Sequence, residues 1–179
     1  MIITKHYGTA CVLYKKNIDI KEGKRYLFWG RSGIGKTTAL RIIAKLESNE
    51  EPCDIKLGKI SMVFQEDRLL ESFTARENLL AVCDDKAIVD SALSAFKIPI
   101  NQRVREFSGG MKRRVAILRA LLYEHDTLLM DEPFTGLDDE TYKSVISFIN
   151  EREKGKTIII VSHEERVNKD LLIDEVIEF

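Results

Sequence analysis

The sequence predicts an α/β fold, a mostly parallel sheet covered by helices on both faces. Three observations predict it. Short apolar runs at 26–29, 127–130 and 157–161 have the unbroken character of buried parallel strands. They alternate with longer stretches of helical periodicity that begin near residues 36, 109 and 139. Gly30, Gln65, Asp131 and His163 each stand just past the C-terminal end of an apolar strand. Parallel sheets collect their ligands at that edge, so one crevice can gather all four.

The elements follow in order. Ile2-Ile3 and Val12-Leu13-Tyr14 read as short strands, and Asn17-Ile18-Asp19-Ile20 alternates as a half-exposed strand would. Residues 1–29 thus form an antiparallel β part that leads through the turn Lys21–Lys24 into the buried strand at 26–29. Tyr7-Gly8 sits on a turn. A helix from Lys36 to about Glu47 carries Ala39, Leu40, Ile42, Ile43 and Leu46 at helical spacing, and Ser48–Pro52 ends it. Lys59–Phe64 is a strand closed by Gln65. Thr74-Ala75-Arg76-Glu77 is a capping box opening a helix through Val82. A second helix follows Asp84, with Ile88, Ala92, Leu93 and Phe96 on one face, and Pro99 closes the pair. Residues 66–107 therefore look helical and lack any strand of their own. Ser108-Gly109-Gly110 starts a further helix through Val115, Leu118 and Leu122. The helix after Asp138 turns Tyr142, Val145, Ile146 and Ile149 inward and stops near Gly155. Glu175–Glu178 is a last short strand.

Composition bounds the function. The chain has 179 residues, enough for one domain with a small inserted part. Its 28 Lys and Arg balance 29 Asp and Glu, a net charge of −1, so no global field draws nucleic acid or anionic lipid. No nucleic-acid partner is expected. Lys112-Arg113-Arg114 is the only tight basic cluster, and a solvated helix face explains it at least as well as an anion site. Cys11, Cys53 and Cys83 are odd in number and widely spaced, which speaks against metal or disulfide roles and fits a reducing compartment. No signal peptide and no apolar run of membrane-spanning length is visible, so the expected state is soluble, with membrane contact through a partner.

The chemistry starts at Gly30-Arg31-Ser32-Gly33-Ile34-Gly35-Lys36-Thr37, which matches the phosphate-loop pattern G-x-x-x-x-G-K-[ST]. Its glycines let successive N–H groups turn inward around phosphates, at a helix N-terminus whose partial charge favours anions. Lys36 reaches the β- and γ-phosphates, and the Thr37 hydroxyl can ligate Mg²⁺. Asp131, at the end of a buried strand, suits a metal-holding role. Glu132 beside it can orient or deprotonate a water attacking the γ-phosphate. The bland alternative, that the pair caps a turn, is weaker in a chain with a phosphate loop. Gln65 can hold a water or a metal without adding charge, and His163 can hydrogen-bond a γ-phosphate oxygen; alone, each signal is weak. Ser108-Gly109-Gly110 offers a second anion site, and two such sites in one small chain fit a two-fold dimer. The loop of one subunit and the serine-glycine turn of the other then clamp the same ATP.

In this order and at these places, the motifs resemble those of the ATP-binding cassette (ABC) ATPases, over nearly the whole chain. Gly30–Thr37 resembles the Walker A loop, and Gln65 in Val-Phe-Gln-Glu-Asp-Arg the Q-loop glutamine. Phe107-Ser108-Gly109-Gly110-Met111 resembles the signature, and Leu128–Pro133 Walker B with its catalytic glutamate. Gly136-Leu137-Asp138 resembles the D-loop, and His163 the switch histidine. The resemblance implies a RecA-like P-loop core from 1–65 and 108–179, with 66–107 as an inserted helical subdomain. It implies ATP and Mg²⁺ as cofactors. Tyr7 stacks on adenine; Gly30, Ser32, Gly33, Ile34, Gly35, Lys36, Thr37 and Thr38 hold ATP in cis. Ser108, Gly109 and Gly110 hold it in trans. Thr37, Gln65 and Asp131 organise the metal, and Glu132, His163, Gln65 and Lys36 serve catalysis.

The resemblance also implies ATP-driven closure of a second ATPase subunit, a homodimer, coupled through 66–107 to a membrane permease at the inner face of the cell membrane. Residues 65–70 and the Ser-Gly-Gly-Met variant are most similar to nitrate/sulfonate/taurine-type importers, which implies an external solute-binding protein as an indirect partner. The sequence departs from the family in Phe107 and Met111, where Leu and Gln are commonest, and in compressed spacings around Gln65. It also ends 16 residues after His163, so the usual C-terminal helices are expected to be missing. A small P-loop kinase would need an acceptor pocket and Arg-rich lid residues in place of the serine-glycine turn. A non-transport ABC protein would carry coiled-coil insertions or tandem cassettes.

Overall fold

The computed structural model describes residues 1–52 and 55–179; the reading of Cys53 lies outside these. Five strands form one parallel sheet in the order β4-β5-β6-β3-β7. They are β3 (Arg25–Trp29), β4 (Ile60–Val63), β5 (Thr127–Asp131), β6 (Thr157–Val161) and β7 (Glu175–Glu178). The registers Leu129↔Ile159 and Leu27↔Ile160 fix the three central strands side by side. Being covered on both faces, these strands alternate between two cores. Tyr26, Phe28, Leu129, Ile159 and Val161 face one, while Leu27, Leu128, Met130, Ile158 and Ile160 face the other.

The first core is closed by helix α1 (Lys36–Ile43) and by a separate antiparallel pair, β1 (Ile2–Tyr7) with β2 (Ala10–Asn17). The second takes α2 (Ala75–Leu80), α3 (Lys86–Ala95), α4 (Gly109–Leu122), α5 (Asp139–Arg152) and α6 (Arg166–Asp170). Helix starts follow their caps. Thr74 accepts from the Glu77 amide while Glu77 reaches back to Thr74, so the capping box is formed. Ser108 and Asp138 cap α4 and α5 through the amides of Met111 and Thr141. No described helix is long and apolar enough to cross a membrane.

Several local expectations change. Only Asn17 of the 17–20 stretch is in a strand; Ile18 is buried in the core beyond it. Helix α1 stops at Ile43, and the chain turns through Lys45 at positive φ. On α3 the buried face is Val89, Ala92 and Leu93, continuing to Phe96, whereas Ile88 is 40% exposed. Spacing of three, four and seven from residue 89 describes that face; starting at residue 88 misses it by one position. Helix α6 was not expected from the sequence: five residues are too few to show a period.

Candidate nucleotide site

The exits of β3, β4, β5 and β6 meet the phosphate loop in one open cleft of about 420 Å³. Ser32, Gly33, Gly35, Lys36, Thr37 and Thr38 line its floor. Tyr7 and Val12 from the antiparallel pair line one wall, and Gln65, Glu132 and His163 the other. Gly30, Ile34 and Asp131 are not among the lining residues; Asp131 lies one layer behind. Four strand ends thus converge as the alternation of strands and helices predicts.

The loop geometry follows from its glycines. Gly35 is the N-cap of α1 at φ +107°, with no side chain capping the helix. The first amides of α1 therefore stay free for an anion. A Cβ on Gly35 would stand 2.8 Å from Leu13 Cδ2, so nothing larger than glycine fits beneath β2. Lys36 is buried and donates from Nζ to the carbonyls of Gly30 at 2.7 Å and Arg31 at 2.8 Å. Its ammonium is held over the loop. Burial pushes its pKa down, against the attraction of Glu132 and Asp131.

The Thr37 hydroxyl donates to Asp131 Oδ1 at 3.0 Å. Asp131 is 1% exposed, and burial pushes its carboxyl up, opposed by the Thr37 bond. A hydroxyl beside a buried carboxylate offers two hard oxygens and a negative charge, which fits a magnesium ion that keeps most of its waters and phosphate ligands.

Glu132 occupies the left-handed region at φ 46°. Such a conformation costs about 1–3 kcal/mol in a residue with a side chain, and it persists only where the surroundings impose it. Here its amide donates to Val161 O at 2.9 Å. Its Oε1 is buried without a hydrogen-bond partner, although His163 Nε2 lies 3.2 Å away. Burial raises the Glu132 carboxyl, which the nearby His163 opposes. A carboxylate oxygen lining a phosphate cleft, basic and unpartnered, is poised to take a proton from a water.

Ser108 and Gly109 lie on the exposed surface at the head of α4 and do not line this cleft. Gly110 lies beside Gly136, its Cβ position 3.6 Å from Gly136 O. The phosphate loop and the serine-glycine turn are thus separate within one chain. Tyr7 stands half-exposed at the rim with Lys5 Nζ 5.1 Å from its ring centre.

The basic cluster is corrected by the structure. Arg113 is 5% exposed, not part of a solvated face. It donates to the carbonyls of Phe64, Gln65, Asp131, Glu132 and Pro133. Lys112 pairs with Glu71, and Arg114 donates to Phe96 O. The signal that could have found Arg113 is its spacing of four and seven from buried Ile117 and Ala120.

The family profile described as "ABC transporter" matches residues 13–135. A methionine import ATP-binding protein of Clostridium tetani is 32% identical over 94% of this chain and 62% of its own length. An aliphatic sulfonates import ATP-binding protein of Bacillus licheniformis is 36% identical over 86% of this chain and 67% of its own. Relatives named for export match at comparable identity. The chain spans about three-fifths of the length of the first curated relatives it matches. Among solved structures, a dimeric ATP-binding cassette in a post-hydrolysis state with ADP and phosphate superimposes with TM-score 0.82 and 27% identity, covering 99% of this chain and 91% of that one.

Proposed function

Because the chain belongs to the ABC transporter family of ATP-binding cassettes, we propose that it binds and hydrolyses ATP as the motor subunit of a membrane transporter. The observation that carries this reading is the wall of the cleft. Glu132 Oε1 is unpartnered beside His163, one residue from the Thr37–Asp131 pair.

Each residue has a role there. The α1 amides and Lys36 bind the phosphates, with Gly30, Ser32, Gly33, Ile34, Gly35 and Thr38 shaping the loop, and Tyr7 stacks on the base. Thr37, Asp131 and Gln65 are the groups that would hold Mg²⁺, which neutralises phosphate charge when bound. Glu132 takes the proton of the attacking water, and His163 hydrogen-bonds the transferring phosphoryl group. Ser108, Gly109 and Gly110 do not line their own cleft, which leaves them for the nucleotide of a second copy. Two copies closing head to tail complete both sites. The similar cassette, dimeric and holding ADP and phosphate, supports a dimer as the working form.

The helical part, 66–107, couples closure to a permease at the inner membrane face. Leu70, Phe73 and Ile88 are large apolar side chains left exposed there, as a docking surface requires. Similarity to the sulfonate importer supports an importer, with a solute-binding protein acting outside the membrane.

The test is Glu132→Gln, which keeps the side chain's shape and removes the base. Hydrolysis falls at least about 10²-fold while ATP still drives dimer formation, measured by light scattering. Hydrolysis at the wild-type rate would remove Glu132 from this role.

A further inference from the structure

Arg113 is the most heavily engaged side chain in the described protein, and nothing in phosphate binding accounts for it. It projects from the second turn of α4, five residues after Ser108. Its Nε donates to Pro133 O at 2.8 Å. Its Nη2 donates to Glu132 O at 2.7 Å and Asp131 O at 3.1 Å. Its Nη1 donates to Phe64 O at 2.6 Å, and reaches Gln65 O and Asp67 Oδ1 at 3.3 Å. One planar fork thus joins the exits of β4 and β5, the two loops that deliver Gln65 and Glu132 to the cleft.

The Glu132 backbone is in the left-handed region at φ 46°. Both carbonyls flanking its Cα, those of Asp131 and Glu132, point at the Arg113 guanidinium. The fork therefore fixes the two peptide planes that aim the Glu132 side chain. A lysine at this position would keep the charge but not the fork, and could satisfy only some of the five carbonyls.

We propose that Arg113 is a positioning residue for hydrolysis, tying the backbones of Glu132 and Gln65 to the helix headed by Ser108. The turn that serves the partner's nucleotide and the carboxylate that serves the subunit's own then move as one body. Engagement of Ser108 in one site is felt at Glu132 in the other. This rests on the reading of Glu132 as the base.

The experiment is a double-mutant cycle in the full chain, with Arg113→Lys, Glu132→Gln and both together. Arg113→Lys is expected to lower kcat about 10²-fold, as misplacement of a reacting group by about 1 Å does, with KM for ATP changed less than about twofold. The double variant is expected to be far less slow than the product of the two single losses, because most of the arginine's effect on hydrolysis runs through that carboxylate. Losses that multiply, or a loss in KM rather than kcat, would overturn the proposal. So would a wild-type kcat for Arg113→Lys when Glu132→Gln is inactive, which leaves the base reading intact. A wild-type rate for Glu132→Gln would instead remove the base reading itself.

If Arg113→Lys does not fold, amide hydrogen exchange of the wild-type protein with a non-hydrolysable ATP analogue decides. Segments 64–67 and 131–134 gaining protection at the same analogue concentration supports the tie. Protection of one segment without the other overturns it.

Discussion

Replacing Glu153 by alanine should destabilise the fold without touching the nucleotide cleft. Glu153 and His125 both have side chains with 0% exposure, and His125 Nε2 lies 2.8 Å from Glu153 Oε2. The other ring nitrogen, Nδ1, is 2.5 Å from Tyr123 O, so the imidazole sits between two acceptors. Lys156 Nζ reaches the same Oε2 at 3.0 Å. Burial alone would raise the Glu153 carboxyl, but the bonds from His125 and Lys156 outweigh it and hold it below its ordinary range. The pair precedes β5 and β6, at the sheet edge opposite the cleft.

Breaking one member of a buried pair costs about 3–5 kcal/mol, because the other is left buried and unpaired. Glu153 Oε1 already lacks a partner, which places this pair at the low end, about 3 kcal/mol. For a chain of 179 residues that corresponds to a fall in Tm of about 6–12 °C. Glu153→Gln keeps an acceptor for His125 and should lose less. Because the folded-state pKa is lowered, the contribution is complete at neutral pH. It fades as pH drops from the ordinary glutamate range through the lower folded value. Thermal denaturation by circular dichroism, repeated from neutral to acid pH, measures both. If Glu153→Ala melts within about 2 °C of wild type at neutral pH, or if the gap to wild type widens as pH falls, the reasoning is refuted.

Two further outcomes follow from the same geometry. Gly35→Ala forces a Cβ into Leu13 at a left-handed backbone position, a strain of about 1–2 kcal/mol at the phosphate loop; nucleotide affinity should drop about tenfold or more in a fluorescent-ATP titration. Ile88→Asp changes an exposed position of α3, so stability should stay within about 0.5 kcal/mol and soluble ATP hydrolysis at the wild-type rate, while recovery of a multi-spanning membrane protein from native membranes falls.

What the sequence reveals directly is what local chemistry determines. The phosphate loop, the capping box at Thr74 and the caps Ser108 and Asp138 are contiguous signals, and each forms as its residues require. The strand ends at Gly30, Gln65, Asp131 and His163 are legible because buried parallel strands are unbroken apolar runs. Legibility fails where a tertiary partner decides. The face of α3 is set by packing against α2 and α4, so Val89 is inside and Ile88 outside. Arg113 looks like surface charge between Lys112 and Arg114, and its partners are carbonyls of loops 18 to 49 residues away. The left-handed backbone of Glu132 has no signal of its own in a glutamate; it comes from bonds to Val161 and Arg113.

The central claim is that ATP is held between the phosphate loop of one copy and the serine-glycine turn of another. Cross-linking tests it most directly, in chains carrying Glu132→Gln and lacking Cys11, Cys53 and Cys83. One chain bears Ser32→Cys, the other Ser108→Cys, and a short bis-thiol reagent is added to their mixture. The account predicts a covalent dimer of one chain with the other that forms with ATP and not with ADP. A cross-link indifferent to ATP, or Ser108→Cys chains joined only to each other, would contradict it.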